Sequence, residues 1–253
     1  MTRIITCLSG KGGVGKTTLV ANLGVALAGM GMDVVVLDAN LTTPNLGLHL
    51  GIPLSPTTLH DVLKGNAKLI EATYLHDSGL KIIPAGISLK DMKGIDSREL
   101  PNILLELLGS TDIVLIDAAA GLGREALAAI EAADELLLIT NPELPAVTDA
   151  LKAAKLAEQV GTKVSGLVVN RIAKKPHEMT RSQIAGMLEG IDVLAEIPED
   201  IAVQESIAKR TPVVLHKPRA ASSQTIRRLA ASLIGEEIKI EKPWHHRLFG
   251  FLR

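Results

Sequence analysis

Ser9-Gly10-Lys11-Gly12-Gly13-Val14-Gly15-Lys16-Thr17-Thr18 lies between an apolar run, Ile4-Ile5-Thr6-Cys7-Leu8, and a helical pattern that passes through Ala21, Leu23, Val25 and Leu27. A buried strand, a glycine-rich turn and a helix, in that order, surround one point with backbone N–H groups and a helix N-terminus, the arrangement that holds a polyphosphate. Glycine lets the backbone approach such a ligand closely. Gly10 to Thr17 fit G-x-x-x-x-G-K-[ST] at every fixed position, so Gly10, Gly12, Gly13, Val14, Gly15 and Thr18 are expected around the phosphates. Lys16 is expected on the β- and γ-phosphates and the Thr17 hydroxyl on Mg²⁺.

Outward from this loop, apolar strand-like runs alternate with helical patterns. Strands are expected at 3–9, 34–38, 80–84, 113–117, 135–140, 164–170 and 193–197, and helices at 16–28, 124–132, 146–159 and 177–187. Several strands are nearly continuous Val, Ile and Leu, as parallel strands covered on both faces should be. The pattern predicts an α/β fold, a doubly wound, mostly parallel sheet with helices on both faces and ligands at the carboxyl ends of its strands. One such domain is expected over residues 1–235, followed by a linker at 236–243 and a short tail helix at 244–253.

Lys11 is a second lysine, at the start of the loop, for which an ordinary phosphate loop has no need. With it the stretch resembles the deviant Walker A ATPases, K-G-G-x-G-K-[ST], the family of the MinD and ParA proteins and the nitrogenase iron protein. The resemblance implies ATP and Mg²⁺ as ligands and ATP hydrolysis as the activity. It also implies that Lys11 crosses a dimer interface to the phosphates of the partner's nucleotide, making ATP binding and homodimerisation one event.

Other positions match the family's pattern, some with departures. Relatives carry Asp-x-Asp in switch I, where the second aspartate positions the attacking water; this chain has Asp38-Ala39-Asn40. Asparagine can hold a water but can neither take its proton nor present a negative charge to it. Slow hydrolysis is therefore expected rather than none, and a scaffold that binds ATP and barely turns it over stays open as an alternative. Asp38 remains available to the Mg²⁺ shell. Asp117, delivered by an apolar run, has the Walker B arrangement and is expected on Mg²⁺ through a water. Gly121 stands in a D-x-x-x-G spacing that implies a contact to the γ-phosphate, with alanines where relatives carry prolines. By the same resemblance, Glu143 pairs with Lys11 across the dimer. Asn170 reads the adenine edge, Arg171 follows it, and Pro198-Glu199-Asp200 line the other side of the base.

Composition sets the limits. With 253 residues and 47% hydrophobic content, the chain can bury one large core. A net charge of −1 supplies no global basic field for nucleic acid. Lys209, Arg210, Lys217, Arg219, Arg227 and Arg228 read first as a solvated helix face, with a ParA-type DNA-segregating ATPase as the alternative. The single cysteine, Cys7, excludes an intrachain disulfide framework, fits a reducing cytosol, and leaves no cysteine pair for a metal-cluster ATPase. No signal peptide is expected, and no apolar run reaches the roughly 18 residues of a spanning helix.

Trp244, Phe249 and Phe251 all fall in the last ten residues, so the core must be aliphatic. At about 100° per residue, Trp244, Leu248, Phe251 and Leu252 share one helix face with Phe249 at its margin, and Arg247 and Arg253 lie opposite. A short basic amphipathic helix of this kind lies in a membrane interface and favours anionic lipid. It resembles the membrane-targeting tail of the MinD branch. The expectation is a cytoplasmic ATPase, peripheral on the membrane when ATP-bound, that positions the division site or a related cargo together with an unidentified activator or cargo protein.

Overall fold

Successive side chains on a strand point to opposite faces, so a run that is apolar in both phases must feed two cores. In the computed structural model, which describes residues 1–52, 54–88 and 90–236, the runs divide in this way. Ile5 and Cys7 of β1 (Arg3–Leu8) enter one buried cluster and Ile4 and Leu8 the other. Val34 and Val36 of β2 (Val34–Ala39) join the first cluster, and Val35 and Leu37 the second. Helices Lys16–Ala28 and Ala221–Leu233 cover the first face, bringing Leu23, Leu27, Ile226 and Leu229. Arg124–Glu131 and Leu144–Val160 cover the second with Ala129, Ile130, Val147 and Ala153. Each large aliphatic side chain buried in this way contributes roughly 1.5–3 kcal/mol, which makes these two layers the main source of stability.

The remaining strands are β3 (Tyr74–Leu75), β4 (Lys81–Ile83), β5 (Ile113–Ala118), β6 (Glu135–Thr140), β7 (Lys163–Ile172) and β8 (Val193–Pro198). They form one sheet in the order β3-β4-β2-β5-β1-β6-β7-β8. All neighbours are parallel except β3 with β4. The expected α/β architecture is therefore present, and its cores are aliphatic: the one Phe, Tyr or Trp among the described residues, Tyr74, is half-buried at the sheet edge.

Two local expectations are corrected. The two-residue strand β3 was not foreseen, because two residues, one half-buried and one exposed, carry no period. The helix expected from 177 starts at Arg181, where Thr180 and Gln183 cap it reciprocally: Thr180 Oγ1 accepts from Gln183 N at 3.3 Å, and Gln183 Oε1 from Thr180 N at 2.8 Å. The tail residues Trp244, Arg247, Leu248, Phe249, Phe251, Leu252 and Arg253, with linker residues 237–243, lie outside the described residues.

The chain leaves β1 for β2 on one side of the sheet and later places β6 on the other, so the crevice at the carboxyl end of β1 is a topological switch point. Asp38 and Asp117 are register partners on β2 and β5, and Cys7 of β1 pairs with Asp117. The phosphate loop and both carboxylates thus arrive at one edge.

Candidate functional site

The loop after β1 is shaped by two glycines. Gly15 caps helix Lys16–Ala28 with a left-handed φ of 91°, and a Cβ there would lie 2.4 Å from Asn170 Nδ2. At Gly10 a Cβ would lie 2.4 Å from the Asp149 carbonyl oxygen, so no larger residue fits beside helix Leu144–Val160. The end of β7 braces the loop further: Asn170 Nδ2 donates to the Val14 carbonyl at 2.7 Å, and Arg171 Nη1 donates to that of Gly13 at 3.2 Å. The other edge of the Arg171 guanidinium holds Glu199, Nε to Oε2, at 2.8 Å, and this hydrogen bond to a carboxylate raises the Arg171 pKa.

Below the loop lies a cavity of about 510 Å³. Gly12, Gly13, Val14, Gly15, Lys16, Thr17, Thr18, Asn40, Asn170, Arg171, Pro198, Glu199 and Asp200 line it as expected, and Gly10, Lys11, Asp38, Asp117, Gly121 and Glu143 stand outside the lining. His49, Ile207 and Ile226 also line it, and the sequence reading did not anticipate them. Burial holds the His49 pKa below its usual value, with Asp117 opposing, so the imidazole is neutral near pH 7. Asp200, which lines the cavity, also caps two helices. Oδ1 accepts from Ala202 N at 2.9 Å and Oδ2 from Ser222 Oγ at 2.8 Å, tying helix Ile201–Ala208 to Ala221–Leu233. Burial pulls its pKa up, but hydrogen bonds from Ala202 and Ser222 outweigh it and the net shift is downward.

The carboxylates behind the cavity divide the work. Lys16 and Asp117 form a buried ion pair, Nζ to Oδ1, while Asp117 Oδ2 is buried with no partner among the described residues. A buried carboxylate oxygen without a donor fits a metal-bound water, the role expected of it. Asp38 accepts backbone N–H bonds from Asn40 at 3.1 Å, Asn45 at 3.1 Å and Leu46 at 3.0 Å. Burial and then the neighbouring Asp117 push its pKa up to about 7, against the pull of the Leu46 and Asn40 donors and of Lys16. Expected in the Mg²⁺ shell, Asp38 is here engaged in folding the segment that follows it. The Cys7 thiol is pushed up to about 12, mainly by burial, and is inert.

That segment is closed on itself and clamped from outside. Asn40 Oδ1 accepts from Thr43 Oγ1 at 3.1 Å, and its Nδ2 donates to the Thr43 carbonyl at 2.8 Å. Two residues missed in the sequence hold the next turn. Glu125 accepts from Leu41 N at 3.2 Å and Thr42 Oγ1 at 2.6 Å. His60, fully buried, accepts at Nδ1 from Gly86 N at 2.9 Å, which leaves Nε2 to donate to the Leu41 carbonyl at 3.1 Å. Burial lowers the His60 pKa, in keeping with that neutral tautomer. Gly121 N donates to the Ser9 carbonyl at 2.9 Å, fastening the loop after β5 to the phosphate loop. At the rim, Lys11 Nζ meets Glu143 Oε2 at 3.2 Å within one chain, both half-exposed. The pair expected across a dimer is thus already formed in cis.

No helix among the described residues is long and apolar enough to cross a membrane. Residues 1–234 match the ParA family, described as a NUBPL iron-transfer P-loop NTPase. The chain is 34% identical over 253 aligned residues to the septum site-determining protein MinD of Thermotoga maritima, covering 95% of this chain and 91% of that one. It is 39% identical over 237 residues, 94% of this chain and 89% of the other, to an uncharacterized ATP-binding protein of Methanocaldococcus jannaschii. Among solved structures, MinD of Pyrococcus horikoshii, complexed with Mg-ADP, matches with a TM-score of 0.90 at 37% identity, over 95% of this chain and 100% of that one.

Proposed function

The chain belongs to the ParA/MinD family of P-loop ATPases, and from that premise we propose that it is an ATP-operated dimerisation switch with a membrane-binding tail. Its ligands are ATP and Mg²⁺. The observation that carries the reading is the placement of Lys11. It stands outside the cavity, half-exposed, on a rim contact of 3.2 Å. An exposed ion pair of this kind contributes only ~0–1 kcal/mol, so Lys11 can leave Glu143 for the phosphates of a second chain's nucleotide at little cost.

Inside the cavity, Lys16 exchanges Asp117 for the β- and γ-phosphates. Asp117 and the Thr17 hydroxyl would hold Mg²⁺, which when bound would neutralise charge on the transferring group. Asn170 offers its carbonyl oxygen to the adenine amine. Asn40 orients water without taking its proton, which makes turnover slow. The tail pattern from Trp244 to Arg253 gives each chain one weak membrane contact, and two contacts on one dimer raise avidity by orders of magnitude. ATP would then bring the dimer to an anionic bilayer and hydrolysis would release it, the behaviour needed to position a division site or cargo.

The test is sedimentation with anionic liposomes, alongside light scattering in solution, in Mg-ATP and Mg-ADP, for the full chain and one cut after Lys242. ATP should double the mass of both forms, and only the full chain should pellet, mainly with ATP. A monomer in ATP would refute the switch. A dimer that stays off lipid while retaining DNA in ATP would replace the membrane with nucleic acid.

A further inference from the structure

Glu125 opens helix Arg124–Glu131, four residues after Gly121. A glutamate in the first turn of a helix is ordinarily stabilised by its own helix N-terminus. Here both carboxylate oxygens turn instead to the segment after β2, Oε1 to Thr42 Oγ1 at 2.6 Å and Oε2 to Leu41 N at 3.2 Å. The same Leu41 is held on its carbonyl side by buried His60. The loop that leads into this helix is fastened to the phosphate loop through Gly121 N and the Ser9 carbonyl. A continuous chain of hydrogen bonds and backbone therefore runs from the phosphate loop through Gly121 and Glu125 to Leu41, the residue after Asn40.

The geometry points to Glu125 as a positioning residue for hydrolysis, one that sets where Asn40 stands at the cavity and couples the segment after β2 to the loop after β5. This rests on the ATP-hydrolysing reading of the site. Asn40 cannot take a proton, so its whole contribution is the place in which it holds water. Its own amide is closed on Thr43, so it moves as a unit with the backbone turn that Glu125 and His60 grip. Where catalysis depends on position, a small displacement of that turn costs rate before it costs affinity.

The test uses the full chain and four readouts: kcat and KM for ATP, affinity for a fluorescent ATP analogue, thermal stability, and amide exchange over residues 40–46. E125A should lower kcat roughly tenfold while affinity stays within about twofold, and should speed exchange at 40–46 alone. E125D, which keeps the charge but lacks the reach, should match E125A. E125Q, with one acceptor oxygen left, should fall between E125A and the natural chain. T42V should lose part of the rate, T42S should recover most of that loss, and T42V should add little to E125A.

A kcat in E125A within about twofold of the natural chain overturns the proposal. So does a fall of stability, affinity and kcat in step, since that marks a merely structural contact. A natural chain that binds the analogue but never turns it over overturns the hydrolysis reading instead. The exchange measurement then decides the clamp by itself, with unchanged exchange in E125A refuting it.

Discussion

The phosphate loop and the segment 40–45 both border one cavity, yet they are held by opposite means. The loop is fixed by what it lacks: no Cβ at Gly10 or Gly15, where side chains would meet Asp149 and Asn170, and a helix packed into the core just behind it. The segment is fixed by side chains borrowed from elsewhere, Asp38 at its start, Glu125 from after β5, and His60 from beyond it. Steric fixation has no alternative geometry to relax into, whereas hydrogen bonds to a half-exposed turn can be exchanged for new ones. On the proposed switch reading, one wall binds and the other responds, and low local stability belongs to the responding wall.

The largest break in that contrast comes from Lys16. Lys16→Ala leaves the carboxylate of fully buried Asp117 without its cation, and removing one partner of a buried pair costs about 3–5 kcal/mol. Denaturant unfolding of the nucleotide-free protein should register a loss of that size, together with loss of ATP binding. Replacing both partners by apolar residues, Lys16→Met with Asp117→Leu, should restore most of the stability and none of the binding. A single-variant loss under about 1 kcal/mol would place the pair in solvent and make the loop as labile as the segment.

Asp38 gives the next effect, on the responding side. Its pKa of about 7 in the folded chain lies above the ~3.9 of an unfolded aspartate. The native state therefore holds an extra proton between those values. The stabilising contribution is complete below about pH 4 and is lost as pH rises through about 7, an effect on the order of 4 kcal/mol for a gap of about three pKa units. Asp38→Asn should flatten stability between pH 5 and pH 8 relative to the natural chain, measured without nucleotide. Parallel profiles would mean the carboxyl is already ionised and the segment firmer than its contacts imply.

The same contrast explains what the sequence disclosed. The phosphate loop was legible because its determinants are contiguous and its geometry is local: glycines, a lysine and a hydroxyl at fixed spacing between a strand and a helix. The long strands were legible because a parallel strand buried on both faces has almost no choice but Val, Ile and Leu. Glu125 and His60 were hidden because they act on Leu41 from 84 and 19 residues away, and no local period marks such a contact. Asp200 and Thr180 carried a signal that could have been used. An Asp before Ile201, and Thr180 with Gln183 three residues on, are helix-cap patterns that place the helix starts where the structure has them.

Lys11 gives the smallest effect on the fold and isolates the function from it. Its contact with Glu143 spans 3.2 Å with side chains 45% and 52% exposed, which limits its stabilising contribution to ~0–1 kcal/mol. Lys11→Ala should therefore leave unfolding almost unmoved and leave analogue binding to the single chain near that of the natural protein, because Lys11 lies outside the cavity lining. What it should abolish is the ATP-dependent doubling of mass seen by light scattering. Glu143→Ala should do the reverse in small measure, freeing Lys11 and shifting dimerisation to lower protein concentration. If Lys11→Ala dimerises normally in ATP, the rim pair is an ordinary surface contact and the responding wall ends at Asn45.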